Sequence, residues 1–139
     1  MMTSELNYYD IHASKFLEST FNVDMDDLYQ SFLRYLADDA SILDLGCGSG
    51  RDALAFKSKG YDVTATDSSK VLIEKAKERT GIHIRLESFY ELSDLNRYDG
   101  IWACASLLHC ERNRLDEVLD KILNALKVNG ICYMSFKYG

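Results

Sequence analysis

The sequence predicts an α/β fold: a doubly wound parallel sheet of about five strands, preceded by two helices. Three observations predict it. From about residue 40 onward, short apolar runs alternate with segments of helical periodicity. The first apolar run, Ile42-Leu43-Asp44-Leu45, closes on three alternate glycines, Gly46, Gly48 and Gly50, as a fully buried strand entering a tight turn does. Strand–helix–strand alternation also needs crossover connections, which make neighbouring strands parallel and right-handed in their winding.

The elements follow in order. Leu6, Tyr9, Ala13, Phe16, Leu17 and Thr20 make a rough helical stripe. Met25, Leu28, Tyr29, Phe32, Leu33 and Leu36 make a full one, with Asp24, Asp26 and Asp27 at its start, where the helix dipole favours negative charge. A strand over 40–45 leads to a helix over 50–59 that stops at Gly60. A second strand, 61–66, ends at Asp67, and Ser68 or Ser69 caps a helix over 69–79 that ends near Gly81. Strand three is 82–86 and strand four 100–103. A helix over 113–127 buries Leu115, Val118, Leu119, Ile122, Leu123 and Leu126, and Asn129-Gly130 turns the chain into strand five, 131–136.

Composition narrows the function. The 139 residues fit one domain, and 47% hydrophobic content supplies a core. No apolar run is long enough to span a bilayer, and the start of the chain lacks the basic and apolar regions of a signal peptide. These features lead to the expectation of a cytoplasmic protein without membrane contact. A net charge of −6 argues against binding a nucleic-acid backbone. The four cysteines, at 47, 104, 110 and 132, lack Cys-x-x-Cys spacing and read as free thiols. His109 and Cys110 are adjacent with no second pair at zinc spacing, so no metal site is expected.

The glycine run carries the chemistry. Glycine lets a ligand lie directly on the backbone, and an acid at a strand end faces the crevice where open α/β sheets bind ligands. A nucleoside-type cofactor is expected there. A dinucleotide loop would want its third glycine where Arg51 stands, and a phosphate loop would end in Gly-Lys-Ser/Thr, which is absent. At the end of strand two, the Asp67 carboxylate can accept both ribose hydroxyls of an adenosine; the alternative is a turn aspartate ahead of Ser68 and Ser69.

The run Asp44 to Gly50 resembles the first motif of the class I S-adenosylmethionine-dependent methyltransferases, Asp/Glu-x-Gly-x-Gly-x-Gly. Tyr98-Asp99-Gly100-Ile101-Trp102 and the following Leu107-Leu108-His109 resemble that family's fourth strand and post-strand loop. The resemblance implies a Rossmann-like sheet in the order 3-2-1-4-5 and S-adenosyl-L-methionine as cofactor. It assigns cofactor binding to Gly46, Cys47, Gly48 and Gly50 and to Ser68 beside Asp67. It has Asp44 bind the methionyl amino group, where bonding to turn amides is the alternative. Ser88 and Phe89 would read the adenine edge, although the family's acid at that position is displaced to Glu87 or Glu91. Cys104, Ala105 and Ser106 would lie along the methionine arm. Arg51 either pairs with the methionyl carboxylate or sits exposed at the helix start. His109 either serves the acceptor as general base or fixes its loop by a hydrogen bond. Asp99, at the opposite end of its strand, reads as structural. Tyr8 and Tyr9 are candidates for a lid over the sulfonium, with Tyr9 the second catalytic candidate; Phe16 and Trp102 add aromatic surface, and His12 could line the pocket.

The implied function is methyl transfer to a small-molecule acceptor. The alternative is a fragment or interaction module that binds the cofactor without turnover. The family core has seven strands, and residues 1–139 read as a single domain truncated after the fifth: a helical cap over 1–38 and a core over 39–139 without strands six and seven. The uncharged, β-prone run 131–136 is then an open edge, and a homo-oligomer formed through it is expected.

Overall fold

Among the described residues, five strands form one sheet: β1 (Ser41–Leu45), β2 (Asp62–Asp67), β3 (Ile84–Leu86), β4 (Tyr98–Cys104) and β5 (Leu126–Ser135). The computed structural model describes residues 25–104 and 106–135, apart from the side chains of Leu108 and His109. The order is β3-β2-β1-β4-β5, and every neighbouring pair is parallel. Helices α1 (Asp26–Leu33), α2 (Arg51–Ser58), α3 (Lys70–Thr80) and α4 (Leu115–Ala125) cover it, with single 3-10 turns at Phe89–Glu91, Ser106–His109 and Arg112–Arg114. The first predicted helix, Tyr8, Tyr9, His12, Phe16 and Ala105 lie outside the described residues.

The central strands are apolar on both faces, and their period of two divides the core. Ile42 of β1 and Trp102 of β4 pack with Tyr29, Phe32 and Leu33 of α1 and Phe56 of α2. Leu43, Leu45, Ile101 and Ala103 face the other way, onto Val118 and Ile122 of α4. Asp44 is opposite Trp102 in the β1–β4 register, so it lies on the α1/α2 face, next to the glycine turn.

The boundaries depart from the sequence expectations where packing decides them. Strand three shrinks to three residues and strand four lengthens to Tyr98–Cys104. Strand five starts at Leu126: Asn129, at φ 68°, sits inside an irregular ladder that steps from Tyr98↔Leu126 to Gly100↔Ile131. The Asn129-Gly130 turn is thus an interruption within β5 and not its beginning. Two stripe positions face outward, Leu28 at 41% exposure and Leu123 at 66%, because each helix buries a narrower face than its apolar stripe. Trp102 is wholly buried and stacked on Tyr133 at 4.1 Å, so it forms no ligand-facing aromatic surface. All four cysteines are free thiols.

Candidate binding crevice

The crevice lies where β1, β2 and β4 end. Gly46, Gly48 and Gly50 all have positive φ, at 71°, 55° and 81°. Gly46 is glycine for a spatial reason as well. A Cβ on Gly46 would stand 2.5 Å from Ser106 Cβ, so the loop after β4 can lie directly on the turn. By contrast, a Cβ on Gly48 would meet nothing within 4 Å among the described residues, so this backbone borders open space there.

The turn is tied to the end of β2. The Cys47 N–H donates to the Thr66 carbonyl at 2.8 Å, and the Gly48 N–H donates to Asp67 Oδ2 at 2.8 Å. Asp67 Oδ1 accepts from the Ser69 N–H at 2.8 Å, while Ser69 caps α3 by accepting from the Leu72 N–H. Asp67 is therefore a turn aspartate as well as a strand-end carboxylate, and each of its oxygens retains a second lone pair. Ser68 is exposed beside it. Burial, reinforced by Asp44 and Asp67, pushes the Cys47 thiol far up, so it remains protonated.

Asp44 is 2% exposed, and its Oδ2 is a buried acceptor with no hydrogen-bond partner among the described residues. Burial raises its pKa well above the ordinary carboxylate range; the charges of Asp52 and Asp67 push the same way, against Arg51 and the Ala53 N–H. Ser106 Oγ and Thr66 Oγ1 are likewise buried without partners. Unpaired polar atoms of this kind are uncommon in folded proteins, and here three belong to residues at the ends of adjacent strands or on the loop that follows.

Arg51 does not sit exposed at the helix start, one of the two placements the sequence left open. Its side chain is 14% exposed and not on the surface. Nε donates to Asp52 Oδ1 at 2.7 Å and Nη2 to Asp52 Oδ2 at 3.2 Å, and Nη2 lies 4.0 Å from Cys104 Sγ. Cys104, at the end of β4, also accepts from Ser135 Oγ at 3.6 Å, and burial raises its pKa.

Ser88 and Phe89 are engaged in a turn. The Ser88 N–H donates to Glu91 Oε1 at 2.8 Å, and the Glu91 N–H to the Ser88 carbonyl at 3.0 Å. Phe89 packs edge-on to Tyr90 against the core. Glu91, one of the two positions (with Glu87) to which the family's acid is displaced, closes this turn. Asp99 accepts from the Ser41 N–H at 2.9 Å, far from the crevice, as a structural residue should.

The sequence reading missed Asp52. This carboxylate is 7% exposed and gathers Tyr29, Trp102 and Arg51 around it. No local pattern marks it: the tyrosine and the tryptophan that need an acceptor lie 23 and 50 residues away along the chain.

Residues 42–130 match the family model described as "Methyltransferase domain". Among curated proteins, the chain is 30% identical over 95 residues to the "Probable S-adenosyl-L-methionine-dependent methyltransferase TehB" of Haemophilus influenzae, covering 64% of this chain and 33% of that one. It is 28% identical over 127 residues to the magnesium-protoporphyrin O-methyltransferase of Rhodobacter capsulatus, covering 86% and 56%. The chain thus spans about a third to a half of these relatives' lengths. A solved TehB-like S-adenosylmethionine-dependent methyltransferase from Corynebacterium glutamicum superposes with a TM-score of 0.71 at 22% identity, over 90% of this chain and 72% of that one.

Proposed function

Because the chain belongs to the class I S-adenosylmethionine-dependent methyltransferases by its methyltransferase domain, we propose that it binds S-adenosyl-L-methionine in this crevice and methylates a small molecule. The observation that carries the reading is the buried, unpartnered Oδ2 of Asp44 beside a glycine turn that opens to empty space at Gly48. A polar atom left unsatisfied at that depth suits a ligand that donates to it, and the methionyl ammonium is such a donor. The bare backbone at Gly48 suits close approach of the adenosyl group. The residues present therefore fit the cofactor.

In this proposal Asp67 accepts the ribose hydroxyls with the lone pairs its own turn leaves over. Gly46, Cys47, Gly48 and Gly50 form the bed, with Ser68 at its rim. Asp44 takes the ammonium, Arg51 the carboxylate, and Cys104, Ala105 and Ser106 flank the arm. Ser88 and Phe89 keep the adenine edge only through groups their turn does not consume, because the Ser88 N–H is already spent on Glu91. His109, on the turn after β4, is proposed as the general base and Tyr9 as a second acceptor-facing group; the support for both is the resemblance in sequence.

The bound cofactor supplies a methyl group already activated by its sulfonium. What remains for the chain is to hold donor and acceptor in line and to exclude water. The O-methyltransferase relative supports a small organic acceptor. We further propose that β5, the sheet edge, pairs with β5 of a second copy. The run Ile131–Ser135 is uncharged, and α1 and β5 border a groove of about 280 Å3 lined by Phe32, Tyr35, Ile131 and Tyr133.

Calorimetric titration with S-adenosylhomocysteine tests the cofactor reading. Asp67→Ala should weaken binding by about 1–3 kcal/mol, the scale of hydrogen bonds to a charged group. An unchanged affinity would remove Asp67 from the site. Methyl transfer over a metabolite panel separates an enzyme from a binder without turnover.

A further inference from the structure

The carboxylate of Asp52 is saturated from three directions. Oδ1 accepts from Tyr29 Oη at 2.5 Å and Arg51 Nε at 2.7 Å; Oδ2 accepts from Trp102 Nε1 at 2.8 Å and Arg51 Nη2 at 3.2 Å. Four donors on two oxygens use its full capacity, so Asp52 itself has nothing to offer a ligand. Its partners come from three separate elements: α1, β4 and the neighbouring residue on α2. Trp102 is in turn fixed by stacking on Tyr133 and by the rings of Tyr29, Phe32 and Phe56 at 5.2–5.5 Å. This carboxylate cannot drift without disturbing the core.

Arg51 carries five N–H groups in a rigid plane. Holding the Nε/Nη2 edge on a fixed carboxylate sets the direction of the rest of that plane. The residue follows Gly50 directly, and Nη2 comes within 4.0 Å of Cys104 Sγ, so the guanidinium reaches from the start of α2 to the end of β4, beside the glycine turn. A lone arginine there would pay rotamer entropy to meet a ligand; one already clamped does not.

We propose that Asp52 is a positioning residue, anchored by Tyr29 and Trp102, that holds the Arg51 guanidinium in place to receive the carboxylate of the cofactor's amino-acid arm. This rests on the cofactor reading above. It makes α1, through one tyrosine hydroxyl, part of the binding machinery.

The test compares two ligands by calorimetry: S-adenosylhomocysteine, and its decarboxylated form, which keeps the amino group. Asp52→Asn should weaken S-adenosylhomocysteine binding by about tenfold, the equivalent of one charge-assisted hydrogen bond. Affinity for the decarboxylated ligand should change by less than about twofold on the same scale. In an Arg51→Gln background, Asp52→Asn should cost nothing further, since it acts through Arg51. Equal losses for both ligands would mean a structural role only, and no loss for either would overturn the proposal as well. If Asp52→Asn does not fold, Tyr29→Phe deletes the hydroxyl alone. A loss of about threefold, confined to the carboxylate-bearing ligand, is then expected, and an unchanged ratio would sink the idea. If the unaltered protein binds neither ligand, the cofactor reading falls and takes this proposal with it; if it binds both and the variants do not discriminate, only this proposal falls.

Discussion

Asp44 shows how a single side chain sets function against stability. Burial raises its pKa, so the folded protein holds this proton more tightly than the unfolded chain does. The stability linked to it is complete below the unfolded carboxylate range and drains away as pH rises through the folded value. Asp44→Asn removes that drain. The unliganded variant should melt higher than the unaltered protein at about pH 7, and the two should converge near about pH 4. Melting curves across that range check the sign; a gap that stays constant with pH would refute it. The same substitution should weaken cofactor binding. Asp44 and Asp67 were legible in the sequence because glycines and strand ends pin them to the crevice. Asp52 was not. In one dimension it is an acid in the first turn of a helix, where any acid suits the dipole. Its role comes from Tyr29 and Trp102, 23 and 50 residues away, and only folding brings them to it.

At the level of elements, one glycine of β4 lets α1 approach the sheet closely. A Cβ on Gly100 would lie 2.7 Å from the Phe32 ring and 3.1 Å from Leu36 Cδ1. The Phe32 ring is 4% exposed and hemmed in by Phe56 and Trp102, so it has little room to retreat. Gly100→Ala should therefore destabilise the fold by about 1–3 kcal/mol, the usual cost of overpacking, as read by urea denaturation. Wild-type stability in that variant would mean that α1 can lift off β4 freely. Helices and strands were legible where periodicity ran long, as in α4. They were misread where pairing overrides local turn chemistry: Asn129-Gly130 looks like a strand boundary, yet β4 recruits the residues on both sides of it.

For the molecule as a whole, the sheet order was available through the family that the glycine loop and the fourth-strand segment resemble. The pairing proposed at its edge was an expectation of the sequence as well, from the uncharged run 131–136. β5 ends the sheet with an uncharged run, and self-pairing through it predicts concentration-dependent association. Size-exclusion chromatography with light scattering should give a mass that rises with loading; a monomer at every concentration would dismiss the second copy.

The chain contains one tryptophan, and the fold has shut it away from water between a helix pair and a tyrosine. Its fluorescence is consequently an intrinsic, label-free gauge of this protein's integrity. Blue-shifted emission reports an intact sheet centre, and a red shift marks the moment solvent reaches it.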